Sequence, residues 1–259
     1  MDLRQNTILI TGGSSGLGYE FARQLLALGN TVLITGRDQA RLDQARQQLP
    51  GVHTFQSDVS DPAAIGELYQ QVVAQFPALN ILINNAGEMR KLNLNDPALT
   101  LPDLTREVAI NLMGPMWMVQ QFLPHLKAQQ AAAILNVSSG LALVPFPLSP
   151  VYGATKAGLH SYTQSLRVQL QRTAVRVFEL LAPGAKTPLS DKFADTVAPS
   201  SLMAADKVVA AAIKAMQHDQ PESYPGVAAV LRAMSRLVPQ FMLKQLSKPF
   251  EQEFGAART

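Results

Sequence analysis

Four side chains in this sequence are of types that can manage a proton beside a reacting oxygen. Tyr152 and Lys156 stand one helical turn apart in VYGATKAG, Ser139 precedes the tyrosine by thirteen residues, and Asn111 lies in INLMGP. A phenol is a poor base at its reference pKa of ~10, and matching an operating pH of ~7 takes about 4 kcal/mol of extra stabilisation of the phenolate. An ammonium roughly 6 Å away, at an effective dielectric of ~20, supplies on the order of 3 kcal/mol, so Lys156 is the expected main source without being sufficient alone. Taken singly, each piece has a plainer reading. A Tyr-x-x-x-Lys pair is usually a helix-surface pair, Ser-Ser-Gly a turn, and an Asn near a helix start a cap.

A second cluster, Thr11-Gly12-Gly13-Ser14-Ser15-Gly16-Leu17-Gly18, runs directly from the β-branched run TILIT (7–11) into a helical pattern in which Leu17, Phe21, Leu25 and Leu28 share one face. A phosphate needs backbone N–H groups aimed at it from a helix N-terminus, where the dipole favours negative charge, and glycine lets the backbone come close. An isolated cluster of this kind is as often an ordinary turn. Placement between a strand and a helix favours the phosphate reading.

The surrounding elements must position these residues. Short β-branched runs at 7–11, 31–35, 52–58, 80–87, 133–139 and 175–181 alternate with helical patterns at 38–49, 62–75, 102–128 and 151–172. Such alternation predicts an α/β fold: one doubly wound, Rossmann-type parallel sheet with helices on both faces. No Gly-, Ser- or Pro-rich linker interrupts the order, and 259 residues with 47% hydrophobic content can bury one core, so 1–259 is expected to be a single domain with 226–259 as a C-terminal amphipathic extension. The run 108–123, VAINLMGPMWMVQQFL, is apolar around most of a helix and suits either core packing or a subunit interface.

TGGSSGLG is similar to the TGxxxGxG signature of the short-chain dehydrogenase/reductase family, and Asn84-Asn85-Ala86-Gly87 resembles its NNAG motif. Ser139, Tyr152, Lys156 and Asn111 match that family's catalytic set. The resemblance covers residues 6 to about 190, and the runs NTILITGG and INLMGPMWMVQQFLPHLK are nearest to the branch associated with D-alanine esterification of teichoic acids. It implies hydride transfer between a nicotinamide cofactor and a carbonyl or alcohol carbon of a small substrate, with Tyr152 as general acid/base, and the Met- and Leu-rich face of 226–250 makes that substrate an apolar one by expectation. It also implies that Ser139 binds the substrate oxygen, that Lys156 holds the nicotinamide ribose, and that Asn111 holds a water in a proton relay. The positive charge of oxidised nicotinamide is the candidate for the remaining stabilisation of the tyrosinate.

By the same resemblance Gly12, Ser14, Ser15, Gly16, Leu17 and Gly18 shape the pyrophosphate turn, Asp58 and Val59 meet the adenine, and Asn85, Ala86, Gly87, Pro183 and Gly184 line the cofactor channel. The second strand ends Thr35-Gly36-Arg37, with a cation and no acid, which favours NADP(H) over NAD(H). A solvated Arg before a helix capped by Asp38 is the alternative. Thr187 departs from the family pattern, because Pro183-Gly184 is followed by only two residues before it, and its role at the nicotinamide amide is open.

With no cysteine, disulfides, thiol chemistry and cysteine-ligated zinc are excluded, and His53, His125, His160 and His218 show no ligand spacing, so no metal site is expected. A net charge of +3, without a block of like charges, argues against a nucleic-acid partner. MDLRQN lacks a signal-peptide order and no apolar run reaches a membrane span, which predicts a cytoplasmic protein; a homodimer or homotetramer is expected. Residues 226–250 recur at helical spacing up to Pro239 and carry Arg232, Arg236, Lys244 and Lys248 without an acid. Packing, a mobile roof over the substrate and membrane-surface contact all suit this segment; the roof is the functional expectation, and membrane contact is not favoured. Loss of Ser139, Tyr152 or Lys156 would have pointed to a non-enzymatic NADP(H)-binding sensor or scaffold, the alternative to an enzyme.

Overall fold

The computed structural model describes residues 1–196 and 198–255. Seven parallel strands form one sheet in the order β3-β2-β1-β4-β5-β6-β7. These are β1 (Thr7–Thr11), β2 (Thr31–Gly36), β3 (His53–Gln56), β4 (Leu79–Asn84), β5 (Ala132–Ser139), β6 (Val175–Ala182) and β7 (Glu222–Ser223). The strands read as unbroken apolar runs because both faces are covered. Their period-2 alternation splits the core: Ile8, Ile10, Val32 and Ile34 point one way, Leu9 and Leu33 the other.

On the first face lie α1 (Gly16–Ala27), α2 (Gln39–Gln48) and α8 (Ala205–Gln217), which contribute Phe21, Leu25, Leu42, Val208 and Ala212. On the second lie α3 (Pro62–Gln75), α5 (Gly114–Lys127) and α6 (Pro150–Leu170), with Leu68, Val72, Met118, Phe122 and Leu166. The expected doubly wound architecture is thus present. The single helix expected over 102–128 is instead α4 (Leu101–Val108) and α5 joined by a π-helical turn at Ala109–Met113. The strand expected to 87 ends at Asn84, which leaves Asn85 to Gly87 as loop beside β1.

β7, α8 and the short α7 (Pro188–Asp191) were not among the expected elements, while α9 (Val227–Leu237) and α10 (Pro239–Phe254) fall in the expected C-terminal amphipathic segment. The chain reverses winding between β1 and β4, and a sheet of this order opens a crevice at the carboxyl ends of those strands.

Candidate active site

β1 delivers the chain into the glycine turn at the crevice. Gly12 has φ +66°, and a Cβ on it would stand 2.9 Å from Ala86 Cα; a Cβ on Gly18 would stand 2.3 Å from the Gly12 carbonyl oxygen. The turn therefore folds back on itself and against the loop after β4, with no room for side chains. Asn85 holds the two together: its Nδ2 donates to the Thr11 and Gly12 carbonyls (2.9 and 3.2 Å), while the Asn85 and Ala86 N–H groups both donate to Thr11 Oγ1 at 3.0 Å. Ser15, ahead of α1, is extended and its side chain makes no capping bond. The first-turn N–H groups of α1 thus face the crevice without a side-chain acceptor, the arrangement a pyrophosphate fits.

At the next strand tip Arg37 is exposed and makes no ion pair among the described residues, while Gln56 Nε2 donates to its carbonyl at 3.0 Å. Arg41, four residues on, lines the same cleft and lies 3.4 Å from Asp38. Its position in the first turn of a helix capped by Asp38 was the readable signal for this second cation. Asp58 Oδ1 accepts from the Ser60 N–H and hydroxyl at 2.9 and 2.7 Å.

Ser139 closes β5, where its Oγ accepts from the Leu141 N–H at 3.1 Å beside the Tyr152 phenol. Lys156 is buried; its Nζ donates to the Val137 carbonyl at 2.8 Å and lies 5.7 Å from the centre of the Tyr152 ring. Asn111 sits mid-way along the π-helical turn and is wholly buried. Its Nδ2 donates to the Glu88 carbonyl (2.8 Å) and Thr155 Oγ1 (3.2 Å), and its Oδ1 accepts from the Glu88 N–H (2.8 Å). The amide is thus engaged with the loop after β4 and with Thr155.

Burial sets the electrostatics. It pushes the Tyr152 phenol up to about 12, a rise that the Ser139 hydroxyl opposes and Glu107 reinforces. It pushes the Lys156 ammonium down to about 8, against the pull of Glu179. The lysine stands close to the phenol, but in the free protein desolvation sets the phenol above its ordinary value. Behind Lys156, buried Glu179 accepts from Ser138 Oγ at 2.5 Å and meets His160 Nδ1 at 2.8 Å. Nothing in residue spacing marked Glu179.

All the expected site residues line one cleft of about 690 Å³ except Gly18 and Asn111, which stand behind it. Thr187 reaches the cleft despite its short spacing: a Cβ on Gly16 would stand 3.4 Å from Thr187 Cβ. On the far side the cleft is apolar. Phe146, Leu148 and Phe193 form a cluster against which Met89, Leu141, Leu246, Phe250 and Phe254 pack. α9 and α10 break at Pro239 as their sequence implies, and Leu231 and Leu246 from them wall the cleft.

Residues 6–198 match the short chain dehydrogenase family. The oxidoreductase DltE of Bacillus subtilis (strain 168) is 45% identical over 195 residues, which are 75% of this chain and 77% of that protein. A short chain dehydrogenase from Burkholderia cenocepacia J2315 in complex with NADP superposes with a TM-score of 0.82 at 25% identity, over 95% of this chain and 99% of the other. A 3-ketoacyl-(acyl-carrier-protein) reductase from Brucella melitensis complexed with NADH superposes at 0.77 with 28% identity, over 85% and 94%. With the glycine turn, the loop after β4 and the serine, tyrosine and lysine gathered on one cleft, this chain belongs to the short chain dehydrogenase family, in its DltE-like branch.

Proposed function

We propose that this protein is an NADP(H)-dependent oxidoreductase acting on a carbonyl or alcohol carbon of a small apolar substrate, with Tyr152 as its general acid/base. One observation carries the reading: Ser139, Tyr152 and Lys156 meet where a cleft walled by a phosphate-type turn on one side becomes apolar on the other. When bound, the nicotinamide cofactor supplies or accepts the hydride. Gly12 to Leu17 would hold its pyrophosphate, Arg37 and Arg41 its 2′-phosphate, and Lys156 with Tyr152 its nicotinamide ribose. NADP(H) rests on these two cations and the absence of an acid at the tip of β2, where an acid would instead bind a ribose hydroxyl.

The residues divide the proton work. Ser139 Oγ orients the substrate oxygen, and Tyr152, protonated in the free protein, donates to the alkoxide that forms there. Oxidation requires the reverse, and bringing a phenol from about 12 toward neutrality costs on the order of 7 kcal/mol, more than one ammonium supplies. Oxidised nicotinamide, when bound, would add the second positive charge. Met89, Leu141, Phe146 and Leu246 exclude water around the reacting carbon.

A homodimer or homotetramer built on the outer flank of α5 belongs to the same proposal, since Met113 at its start is exposed and Trp117 only half-buried. A screen of carbonyl compounds followed by NADPH absorbance, with Tyr152→Phe as control, tests the assignment. Tight NADPH binding without turnover of any class would support the sensor instead.

A further inference from the structure

α9 and α10 form a helical hairpin whose inner and outer faces differ in what they meet. Leu246, Phe250 and Phe254, spaced four residues apart on α10, pack on Phe146, Leu148 and Phe193, and Leu231 of α9 lies against Gly140. The outer side has no such partner. Leu237 is 76% exposed, Phe241 53% and Val238 39%, and these three surround the bend at Pro239. Of the nine large apolar side chains left exposed among the described residues, these three stand within five positions of one another, whereas exposed Val227, at the other end of α9, lines the cleft. Singly exposed apolar residues need no explanation, but a concentration of this kind at one protruding bend marks a contact surface.

The charge around the bend is of one sign. Residues 224–250 contain four cations and no acid. Arg232 is occupied, stacked 4.3 Å over Tyr224 and 3.9 Å from Glu222. Arg236, Lys244 and Lys248 are exposed and make no ion pair among the described residues. A second copy of the chain on this face would set these cations against their own symmetry mates. Acidic phospholipid headgroups pair with them, while the apolar tip reaches the headgroup–acyl boundary. No helix among the described residues is long and apolar enough to cross a bilayer, so the hairpin suits lying on a membrane rather than spanning it.

We propose that the α9–α10 bend, Leu237 to Phe241 flanked by Arg236, Lys244 and Lys248, docks this protein on an anionic lipid bilayer. Because the inner face of the same hairpin walls the substrate cleft, docking sets the cleft mouth beside the apolar layer, from which a lipid-soluble substrate can enter. The docking stands apart from the proposed chemistry; only the substrate route rests on it.

The test is flotation of the full-length protein with vesicles of phosphatidylcholine alone and of phosphatidylcholine mixed with an equal part of phosphatidylglycerol. Wild type binds the mixed vesicles, weakly at high salt, and hardly binds the neutral ones. The triple reversal R236E/K244E/K248E lowers binding on the order of a hundredfold or more, and L237E/F241E lowers it comparably; both variants alter exposed side chains, and unchanged NADPH affinity reports that they remain folded. Absence of wild-type binding to anionic vesicles, or equal binding by the variants, overturns the proposal. So does a wild-type oligomer that dissociates in L237E/F241E without lipid, which assigns the bend to a second copy. Vesicle binding without any turnover leaves the docking in place and removes the reductase assignment.

Discussion

Lys156 Nζ lies 5.7 Å from the centre of the Tyr152 ring, and burial drives the two groups toward the same uncharged state from opposite sides. The phenol rises to about 12 while the ammonium falls to about 8, so in the free protein the tyrosine is a stored proton rather than a base. Removing that proton alone separates chemistry from binding. Tyr152→Phe is expected to lower turnover by at least ~10²-fold, the scale of positioned acid–base catalysis, with NADPH affinity changed only a few-fold. Turnover close to wild type on an established substrate would dismiss Tyr152 as the proton carrier.

Arg37 carries the expected cofactor preference. It has no carboxyl partner among the described residues, whereas Arg41 beside it is shared with Asp38. Wild type is expected to bind NADPH more tightly than NADH, and Arg37→Ala to remove about 10- to 100-fold of the difference, the worth of one charge-assisted bond. Arg41→Ala is expected to remove less. Fluorescence titration of both cofactors decides it, and equal wild-type affinities would refute the preference.

Residues whose function is written in type and spacing were readable. Gly12 to Gly18 after TILIT could be placed because glycine at a strand-to-helix junction answers a local steric demand, and Tyr152 with Lys156 because one helical turn sets their separation. Glu179 could not be read, since its meeting with His160 depends on β6 packing against α6. The π-helical turn around Asn111 was equally hidden: the amide it presents is clamped to Glu88, a contact across 23 residues. The balance of the Tyr152–Lys156 pair in the free protein was not readable either. The Coulomb term follows from spacing, but desolvation depends on everything packed around the pair.

His160 and Glu179 make stability depend on pH. The hydrogen bond to Glu179 holds the His160 imidazolium above its ordinary pKa, partly offset by burial. A group raised on folding contributes stability that is complete below the unfolded value of ~6.5 and is lost as pH rises through the higher folded value. Urea denaturation of wild type and His160→Gln should therefore differ by on the order of 1 kcal/mol more at mildly acidic than at alkaline pH. A pH-independent difference would show that the pair contributes no linked charge.

The hairpin of α9 and α10 offers the sharpest separation of folding from function. Among the described residues, neither of the two sheet-flanking cores draws a buried side chain from beyond Met216, so deletion of residues 227–259 is expected to leave both intact. What the deletion removes is Leu231 and Leu246 from the cleft wall and the cover over Phe146, Leu148 and Phe193. The glycine turn, Arg37 and Asp58 lie elsewhere and keep their partners. The truncated chain is expected to give a native circular dichroism spectrum and near-unchanged NADPH affinity. Turnover of a hydrophobic carbonyl compound should fall at least ~10-fold, because a reacting carbon left open to water loses the dry surroundings that strengthen the charges around it. Unchanged turnover would remove the roof from the mechanism, and failure to fold would make the hairpin a packing element.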